Sequence, residues 1–333
     1  MSGREALSPT LEVADLRTHF FTKAGIVRAV DGVSFEVRAG EVLGLVGESG
    51  CGKTVTGFSI LGLVDPPGRV VSGSIRLKGQ ELNGLDEAAL RKVRGNRIAM
   101  IFQDPMMTLN PVLKIGTQIM EAVRAHRHVT RAAVRELACN ALARVGIAAP
   151  EKRLEAYPHE LSGGMRQRVA IAIAFINKPD LIIADEPTTA LDVTIQAQIL
   201  YEAQKLCRET GTAMIWITHD LAVVSALADR IAVMYAGRIV EQGATSDIIT
   251  RPLHPYTQGL LGSVPSANRR GARLAQIPGL PPSLLAPPPG CSFQPRCPKA
   301  VAECELAAPP VTEPMVGRQV RCFRPLVAEP AAS

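Results

Sequence analysis

A glycine-rich pattern near the start of the chain has the spacing of a phosphate-binding loop. It runs from Gly47 to Thr54 and reads Gly-x-x-x-x-Gly-Lys-Thr. Glycines let such a loop curl so that successive backbone N–H groups face one anion, and a following helix adds its positive N-terminal end. In this pattern Lys53 contacts the outer phosphates of a nucleoside triphosphate and Thr54 ligates Mg²⁺. The expected contacts to the nucleotide are Gly47, Ser49, Gly50, Cys51, Gly52, Lys53, Thr54 and Val55.

Two adjacent carboxylates follow an apolar run further along the chain. The run begins at Leu181 and ends in Asp185 and Glu186. Phosphoryl transfer to water needs a metal ion and an oriented nucleophile. Asp185 is suited to the Mg²⁺ shell, and Glu186 to accepting a proton from the attacking water. Alone, the pair is equally consistent with two acids that end a strand, but the upstream phosphate loop favours hydrolysis.

A serine followed by two glycines opens a predicted helix. Ser162 fits an N-cap, and Gly163 and Gly164 leave the helix start uncovered. Exposed N–H groups, a hydroxyl and a helix dipole together form a candidate second anion site. An ordinary capped helix explains the same residues.

The elements around these motifs alternate between strand and helix. An apolar strand over 42–46 leads into the glycine loop, and a helical pattern follows over 54–63. Further strands over 98–102, 181–184, 213–217 and 231–235 alternate with helices, which predicts an α/β layer fold. Residues 112–165 are mainly helical and interrupt this alternation as an insertion.

The bulk composition is that of a globular protein. The chain has 333 residues, 47% apolar residues and a formal net charge of +6. Its Lys and Arg residues are scattered rather than clustered, which favours a solvated basic surface, although charge alone decides nothing. We expect no nucleic-acid partner. We see neither a secretory signal nor an apolar stretch long enough to cross a bilayer. We therefore expect a cytosolic protein that reaches a membrane only through a partner.

Taken in order, these motifs resemble the cassette of ABC ATPases. The resemblance rests on 47–54 (Walker A), Leu-Ser-Gly-Gly-Met-Arg-Gln at 161–167 and Leu-Ile-Ile-Ala-Asp-Glu at 181–186. It extends to Gln103, to Leu191-Asp192 and to His219, and it covers residues 10–250. It implies a P-loop NTPase with an antiparallel β subdomain, a helical subdomain at about 105–165, and an irregular extension over 251–333 that contains cysteines.

The resemblance also implies a role for each motif residue. Glu186, His219 and Gln103 would be catalytic, and Gln103 would join Thr54 and Asp185 around Mg²⁺. Phe20 would stack on adenine, although Phe21 is an alternative. Because the chain carries one cassette, the segment Ser162, Gly163 and Gly164 would complete the ATP site of a second, homologous ATPase subunit.

The end of the chain resembles a narrower branch, the ATP-binding subunits of dipeptide, oligopeptide and nickel importers. The residues that carry this resemblance are 254–261, 277–279 and 289–300. It implies two permease subunits, an extracytoplasmic solute-binding protein, and a peripheral position on the cytoplasmic face of the inner (plasma) membrane. An importer of dipeptides or oligopeptides is the leading hypothesis. Import of another solute such as nickel, and a soluble ABC ATPase that acts on nucleic acid, are the alternatives.

Four cysteines cluster in this extension. Cys291, Cys297, Cys304 and Cys322 could supply four thiolates to zinc or to an iron–sulfur cluster. The short spacing typical of zinc sites is absent, and some relatives in the branch carry a cluster here. We therefore expect a [4Fe–4S] cluster that clamps the proline-rich tail, with zinc and free thiols as the alternatives.

Overall fold

A computed structural model of the protein describes residues 8–189, 191–263 and 276–326. The strands are β1 (Leu11–Thr22), β2 (Gly25–Val37), β3 (Val42–Val46), β4 (Gly68–Leu77), β5 (Gln80–Glu81), β6 (Ile98–Ile101), β7 (Leu181–Asp185), β8 (Ala213–Thr218), β9 (Arg230–Tyr235), β10 (Arg238–Ala244), β11 (Thr312–Met315) and β12 (Arg318–Val320). The helices are α1 (Lys53–Leu61), α2 (Glu87–Val93), α3 (Ile115–Arg124), α4 (Arg131–Arg144), α5 (Pro150–Arg153), α6 (Gly163–Phe175), α7 (Val193–Thr210), α8 (Leu221–Leu227), α9 (Thr245–Thr250), α10 (Pro255–Gly262) and α11 (Glu303–Leu306).

The described residues form two compact units built from interleaved segments. The first unit comprises residues 8–11, 37–42 and 77–216, and the second comprises 12–36, 43–76, 217–263 and 276–326. The first unit therefore contains most of the helices. The second contains the phosphate loop and the C-terminal segment, which is defined here as residues 251–263 and 276–326.

In the first unit, three strands lie side by side in the order β8-β7-β6. The strands β6 and β7 are parallel, with Ile98 opposite Leu181 and Ile101 opposite Ala184. Every residue of β7 is buried, as its unbroken apolar run predicts for a strand covered on both faces. Helices α3, α4 and α6 pack together beside these strands. The predicted helical stretch is thus divided into separate helices rather than one long helix.

In the second unit, the strand order is β11-β12-β10-β9-β3. β3 and β9 are parallel, whereas β9 and β10 form an antiparallel hairpin. The C-terminal segment adds to this sheet because β12 pairs with β10, with Val320 opposite Glu241. The strands β2, β1 and β4 lie side by side in a separate sheet. The proline-rich stretch over 278–289 contains no helix or strand, as its composition predicts.

None of the described helices combines the length and apolar composition that a membrane crossing needs.

Candidate nucleotide site

The loop between β3 and α1 has the backbone form that a phosphate-binding loop needs. Gly52 caps α1 in the left-handed region, with φ 105°. A Cβ on Gly52 would lie 2.2 Å from the carbonyl oxygen of Ala29, and one on Gly47 would lie 2.1 Å from that of Met234. Because both obstacles are backbone atoms, no side chain fits at either position. The two glycines of the motif are therefore required by packing as well as by curvature.

The Lys53 ammonium lies inside the turn of this loop. Lys53 is only 5% exposed. The Nζ atom donates to the carbonyl oxygens of Gly47, at 2.8 Å, and Glu48, at 3.1 Å. A positive charge held against the loop backbone is suited to pairing with phosphate oxygens.

The remaining loop residues differ in exposure. Ser49 and Gly50 are exposed at the tip, whereas Thr54 and Val55 are half-buried at the start of α1. Cys51 is buried, and this burial raises the pKa of its thiol, with the Lys53 charge opposing the shift. At neutral pH the thiol is therefore protonated and adds no negative charge to the loop.

Two further predicted contacts lie in the second unit. Phe20 is half-buried with its ring against Gly68, while Phe21 is 39% exposed under the Arg69 guanidinium, 4.3 Å from its ring centroid. Neighbouring residues in a strand point to opposite faces, so only one of the two rings can face a given ligand. His219 is exposed directly after β8. The adenine contact of Phe20 and the role of His219 stay predictions.

The acidic motif lies in the first unit at one edge of the sheet. Asp185 is the last residue of β7 and is 7% exposed, and Glu186 follows it. Gln103 is exposed two residues after the end of β6. Because β6 and β7 are parallel, Gln103, Asp185 and Glu186 lie at the same carboxyl edge. This is the edge at which ligands bind in α/β folds.

Glu186 has an unusual backbone conformation. Its φ is 45°, in a region that residues other than glycine rarely adopt. The Thr189 hydroxyl donates to its carboxylate at 3.1 Å. Strained backbone of this kind is concentrated at functional sites, where it directs a side chain that a relaxed backbone would not. Glu186 is therefore the outstanding candidate for chemistry among the acids of this unit.

The serine-glycine motif forms the start of α6 in the first unit. Ser162 is the N-cap, and its hydroxyl accepts from the Met165 N–H at 3.3 Å. A Cβ on Gly164 would lie 2.9 Å from the Ile195 side chain, so packing against α7 requires a small residue there. Gly163 has open space, its nearest neighbour being a Leu191 methyl at 3.9 Å. The predicted N-cap is thus present, and its role toward phosphate stays a prediction.

The four C-terminal cysteines line one small cavity in the second unit. Its volume is about 10 Å³, which is room for about one water molecule. Burial raises the pKa of the Cys291 and Cys297 thiols and raises that of Cys322 to about 11, so these three are protonated at neutral pH.

The predicted [4Fe–4S] cluster is not supported by this arrangement. Four thiols are the right donor set for it. Across the described ranges, however, no group of three or more His, Cys, Asp or Glu residues is placed to hold a metal ion. The residues fit the cluster in chemical type, but the described side-chain positions give it no support.

Sequence reasoning gave no role to two residues that contact the phosphate loop. The Glu48 carboxylate accepts two hydrogen bonds from Arg296, and the Glu48 N–H donates to the Tyr256 hydroxyl. Both residues lie within the segments that carried the narrower family resemblance. That resemblance was the available signal, but nothing in the spacing of these residues indicated which part of the chain they contact.

Comparison with known proteins agrees with the fold and the motifs. Residues 30–189 match the ABC transporter family, and residues 240–304 match the oligopeptide/dipeptide transporter C-terminal region. Among solved structures, a dimeric, post-hydrolysis ATP-binding cassette, MJ0796 with ADP and Pi, is 27% identical. It matches with a TM-score of 0.64 over 71% of this chain and 98% of its own. The prediction of an ABC-type P-loop fold is confirmed.

Curated relatives align over nearly the whole chain. A probable peptide ABC transporter ATP-binding protein of Sinorhizobium fredii is 53% identical over 94% of both chains. A dipeptide transport ATP-binding protein of Bacillus subtilis is 49% identical over 95% of both. An oligopeptide transport ATP-binding protein of Escherichia coli is 49% identical over 95% of this chain and 93% of its own. With this identity over this length, the chain belongs to the family of ATP-binding subunits of oligopeptide and dipeptide ABC transporters.

Proposed function

We propose that this protein binds MgATP and hydrolyses it to energise the import of dipeptides or oligopeptides. The observation that carries the proposal is the buried Lys53 ammonium inside a loop in which a Cβ on Gly47 or Gly52 would meet a backbone oxygen. A loop of this form binds the phosphates of a nucleotide. The two nearly full-length relatives of B. subtilis and E. coli, named for dipeptide and oligopeptide transport, support peptides as the solute.

In the proposed reaction, each motif supplies a different function. Lys53 and the loop N–H groups bind the β- and γ-phosphates, and Phe20 stacks on the adenine. Thr54, Gln103 and Asp185 would hold Mg²⁺, which neutralises charge on the phosphates when bound. Glu186 accepts a proton from a water molecule as the water oxygen attacks the γ-phosphorus and the bond to ADP breaks. His219 contacts the γ-phosphate and keeps Glu186 in register.

The serine-glycine motif is proposed to act on a second subunit. Ser162, Gly163 and Gly164 at the start of α6 would face the γ-phosphate bound by a homologous ATPase partner. ATP bound between two cassettes favours the closed pair, and hydrolysis releases it, which can move two attached permease subunits. An extracytoplasmic binding protein would deliver the peptide, so the ATPase would work at the cytoplasmic face of the membrane.

We further propose the boundaries expected from sequence. Residues 10–250 would form the cassette, with its helical subdomain at about 105–165, and 251–333 would form the extension. The two family matches, over 30–189 and 240–304, support this division. The extension includes residues outside those that the structure describes.

The iron–sulfur cluster also stays a proposal. Its support is that Cys291, Cys297, Cys304 and Cys322 line a single cavity. Anaerobic purification followed by iron and acid-labile sulfide analysis tests it. Four irons and four sulfides per chain, lost in Cys→Ser variants, are the expected result. Stoichiometric zinc or four titratable thiols would contradict the cluster.

The transport proposal is tested by reconstitution. The chain is assembled with candidate permeases and a second ATPase subunit in liposomes, and ATP hydrolysis is measured with the binding protein present. We expect dipeptides or oligopeptides to stimulate hydrolysis and to accumulate inside the vesicles. Stimulation by Ni²⁺ alone would favour the nickel alternative. Stimulation of the isolated chain by RNA or DNA would favour the nucleic-acid alternative.

A further inference from the structure

The C-terminal segment contacts the phosphate loop through a charged pair and through a hydrogen bond. The Arg296 guanidinium donates to both carboxylate oxygens of Glu48, from Nη1 at 2.7 Å and from Nη2 at 2.9 Å. Glu48 is the second residue of the loop motif, whereas Arg296 lies in a 3₁₀ turn over Gln294–Arg296. From these contacts we infer that Arg296 and Tyr256 are positioning residues that hold the phosphate loop in its nucleotide-binding form. The inference rests on the ATP-binding function proposed above.

The burial and hydrogen bonding of Arg296 make this pair unlike a surface ion pair. Its side chain is 5% exposed, and that of Glu48 is 26% exposed. The guanidinium also donates to the carbonyl oxygen of Pro278, at 2.9 Å, and to the hydroxyl of Tyr235, at 3.3 Å. The hydrogen bond to Glu48 is the main cause that raises the pKa of Arg296, so the guanidinium stays protonated. A planar, bidentate contact fixes direction as well as distance, which a lysine cannot reproduce.

A second contact holds the backbone of the same loop residue. The Tyr256 hydroxyl accepts from the Glu48 N–H at 2.9 Å. The Tyr256 ring is fully buried against Tyr235 and Phe293, with ring centroids 4.5 and 5.4 Å away. A hydroxyl on such a packed ring has little freedom to move. Glu48 is therefore held by its side chain and by its main chain at once.

Glu48 transmits this constraint to the lysine. Its carbonyl oxygen accepts from Lys53 Nζ at 3.1 Å and from the Cys51 N–H at 3.3 Å. The C-terminal segment and the Lys53 ammonium thus contact different atoms of one residue. If Arg296 or Tyr256 releases Glu48, the loop gains freedom that phosphate binding must remove again. Nucleotide affinity should therefore depend on residues that touch no phosphate.

The test is MgATP binding by purified full-length variants, measured together with kcat and KM for hydrolysis. We expect Arg296→Gln to raise Kd and KM about tenfold while kcat changes less than about threefold. Arg296→Lys keeps the positive charge but cannot make the bidentate contact. Its Kd and KM should therefore lie between those of wild type and Arg296→Gln. Tyr256→Phe keeps the buried ring, removes only the acceptor, and should raise Kd about threefold.

The pairing itself is tested by a double-mutant cycle. In a Glu48→Gln background, Arg296→Gln should add less than about twofold, because its partner is already neutral. The matched control is Arg251→Gln, which breaks an exposed pair with Asp247 in the same unit and should leave Kd unchanged. A wild-type Kd in folded Arg296→Gln and Tyr256→Phe proteins would overturn the inference, as would additive effects in the cycle. If Arg296→Gln does not fold, Arg296→Lys and Tyr256→Phe decide the question in its place.

Failure of the proposed function has a different signature. If the wild-type protein binds no MgATP, the proposed ATP-binding function is wrong. If the wild-type protein binds MgATP and the variants bind it equally well, only the positioning role is wrong.

Discussion

The phosphate loop and the acidic sheet edge, the two regions assigned to ATP chemistry, are supported in different ways. The loop is confined by backbone oxygens next to Gly47 and Gly52 and is held from a distant segment through Glu48. At the acidic edge, the parallel pairing of β6 with β7 places the strand ends side by side, and the φ of Glu186 directs its carboxylate locally. We therefore expect nucleotide binding to depend on packing around the loop, and hydrolysis, as proposed, to depend on the directed carboxylate of Glu186.

This difference implies that the two functions can be separated by mutation. Changes around the loop should alter affinity and stability together, because the same contacts support both. Changes at the acidic edge should alter turnover with little effect on affinity.

The largest effect is expected for Glu186→Gln at the acidic edge. The amide keeps the shape of the side chain but cannot accept the proton of the attacking water, so kcat should fall about 1,000-fold, or about 4 kcal/mol. Kd for MgATP should stay within about twofold of wild type. Single-turnover hydrolysis and equilibrium binding measure the two quantities. Thr189→Val, which removes only the hydroxyl bonded to Glu186, is the control and should cost much less. Retained full turnover in Glu186→Gln would exclude Glu186 as the base.

The next largest effect is expected at His254, two residues before the Tyr256 that contacts the phosphate loop. Burial lowers the pKa of His254 from 6.5 to about 4. Below pH 6.5, His254 binds a proton in the unfolded chain but stays neutral in the folded protein. The free energy of unfolding therefore falls as the pH drops toward 4. The expected loss is about 3 kcal/mol across this window.

Denaturant unfolding between pH 7 and 4 measures this loss. The control is His254→Asn, because asparagine can still accept from the Tyr256 N–H, as Nδ1 does at 3.0 Å, but does not titrate. Its stability should vary less over this range than that of the wild type. Identical pH profiles would show that His254 is not the group responsible.

A smaller effect is expected for Gly52→Ala in the loop. The added Cβ would meet the Ala29 carbonyl oxygen, so we expect a loss of about 2 kcal/mol beyond backbone strain, together with weakened MgATP binding. Gly79→Ala is the matched control. Its φ of 79° imposes similar strain, but its Cβ would meet no atom within 4 Å. Thermal unfolding and equilibrium binding compare the two variants. Equal losses of stability and of MgATP affinity would show that the contact with the Ala29 carbonyl oxygen does not matter.

The smallest effect on stability is expected for Ser162→Ala at the start of α6. Loss of the N-cap hydrogen bond should cost about 1 kcal/mol. The control is Asp86→Ala, which removes the cap of α2, whose carboxylate accepts from the Ala89 N–H at 2.7 Å. If Ser162 also completes a partner's site, Ser162→Ala should weaken ATP-dependent pairing of subunits, and Asp86→Ala should not. Equal pairing in sedimentation experiments would leave Ser162 as a cap alone.

The sequence alone determined the local parts of this protein. The glycine spacing predicted the loop between β3 and α1, the serine predicted the cap of α6, and the apolar run predicted the buried β7 that ends at Asp185. Each of these is encoded by neighbouring residues, because helix caps, tight turns and buried strands depend on nearby backbone geometry. The family resemblance added the overall order of the motifs.

The tertiary structure alone decided the contacts between distant residues. Arg296 and Glu48 are 248 positions apart, and no local pattern in either segment indicates the other. The same holds for the four cysteines, which the folded chain brings to the lining of one small cavity. Which side chains meet across such separations depends on how the whole chain packs, and spacing along the sequence carries no measure of that distance.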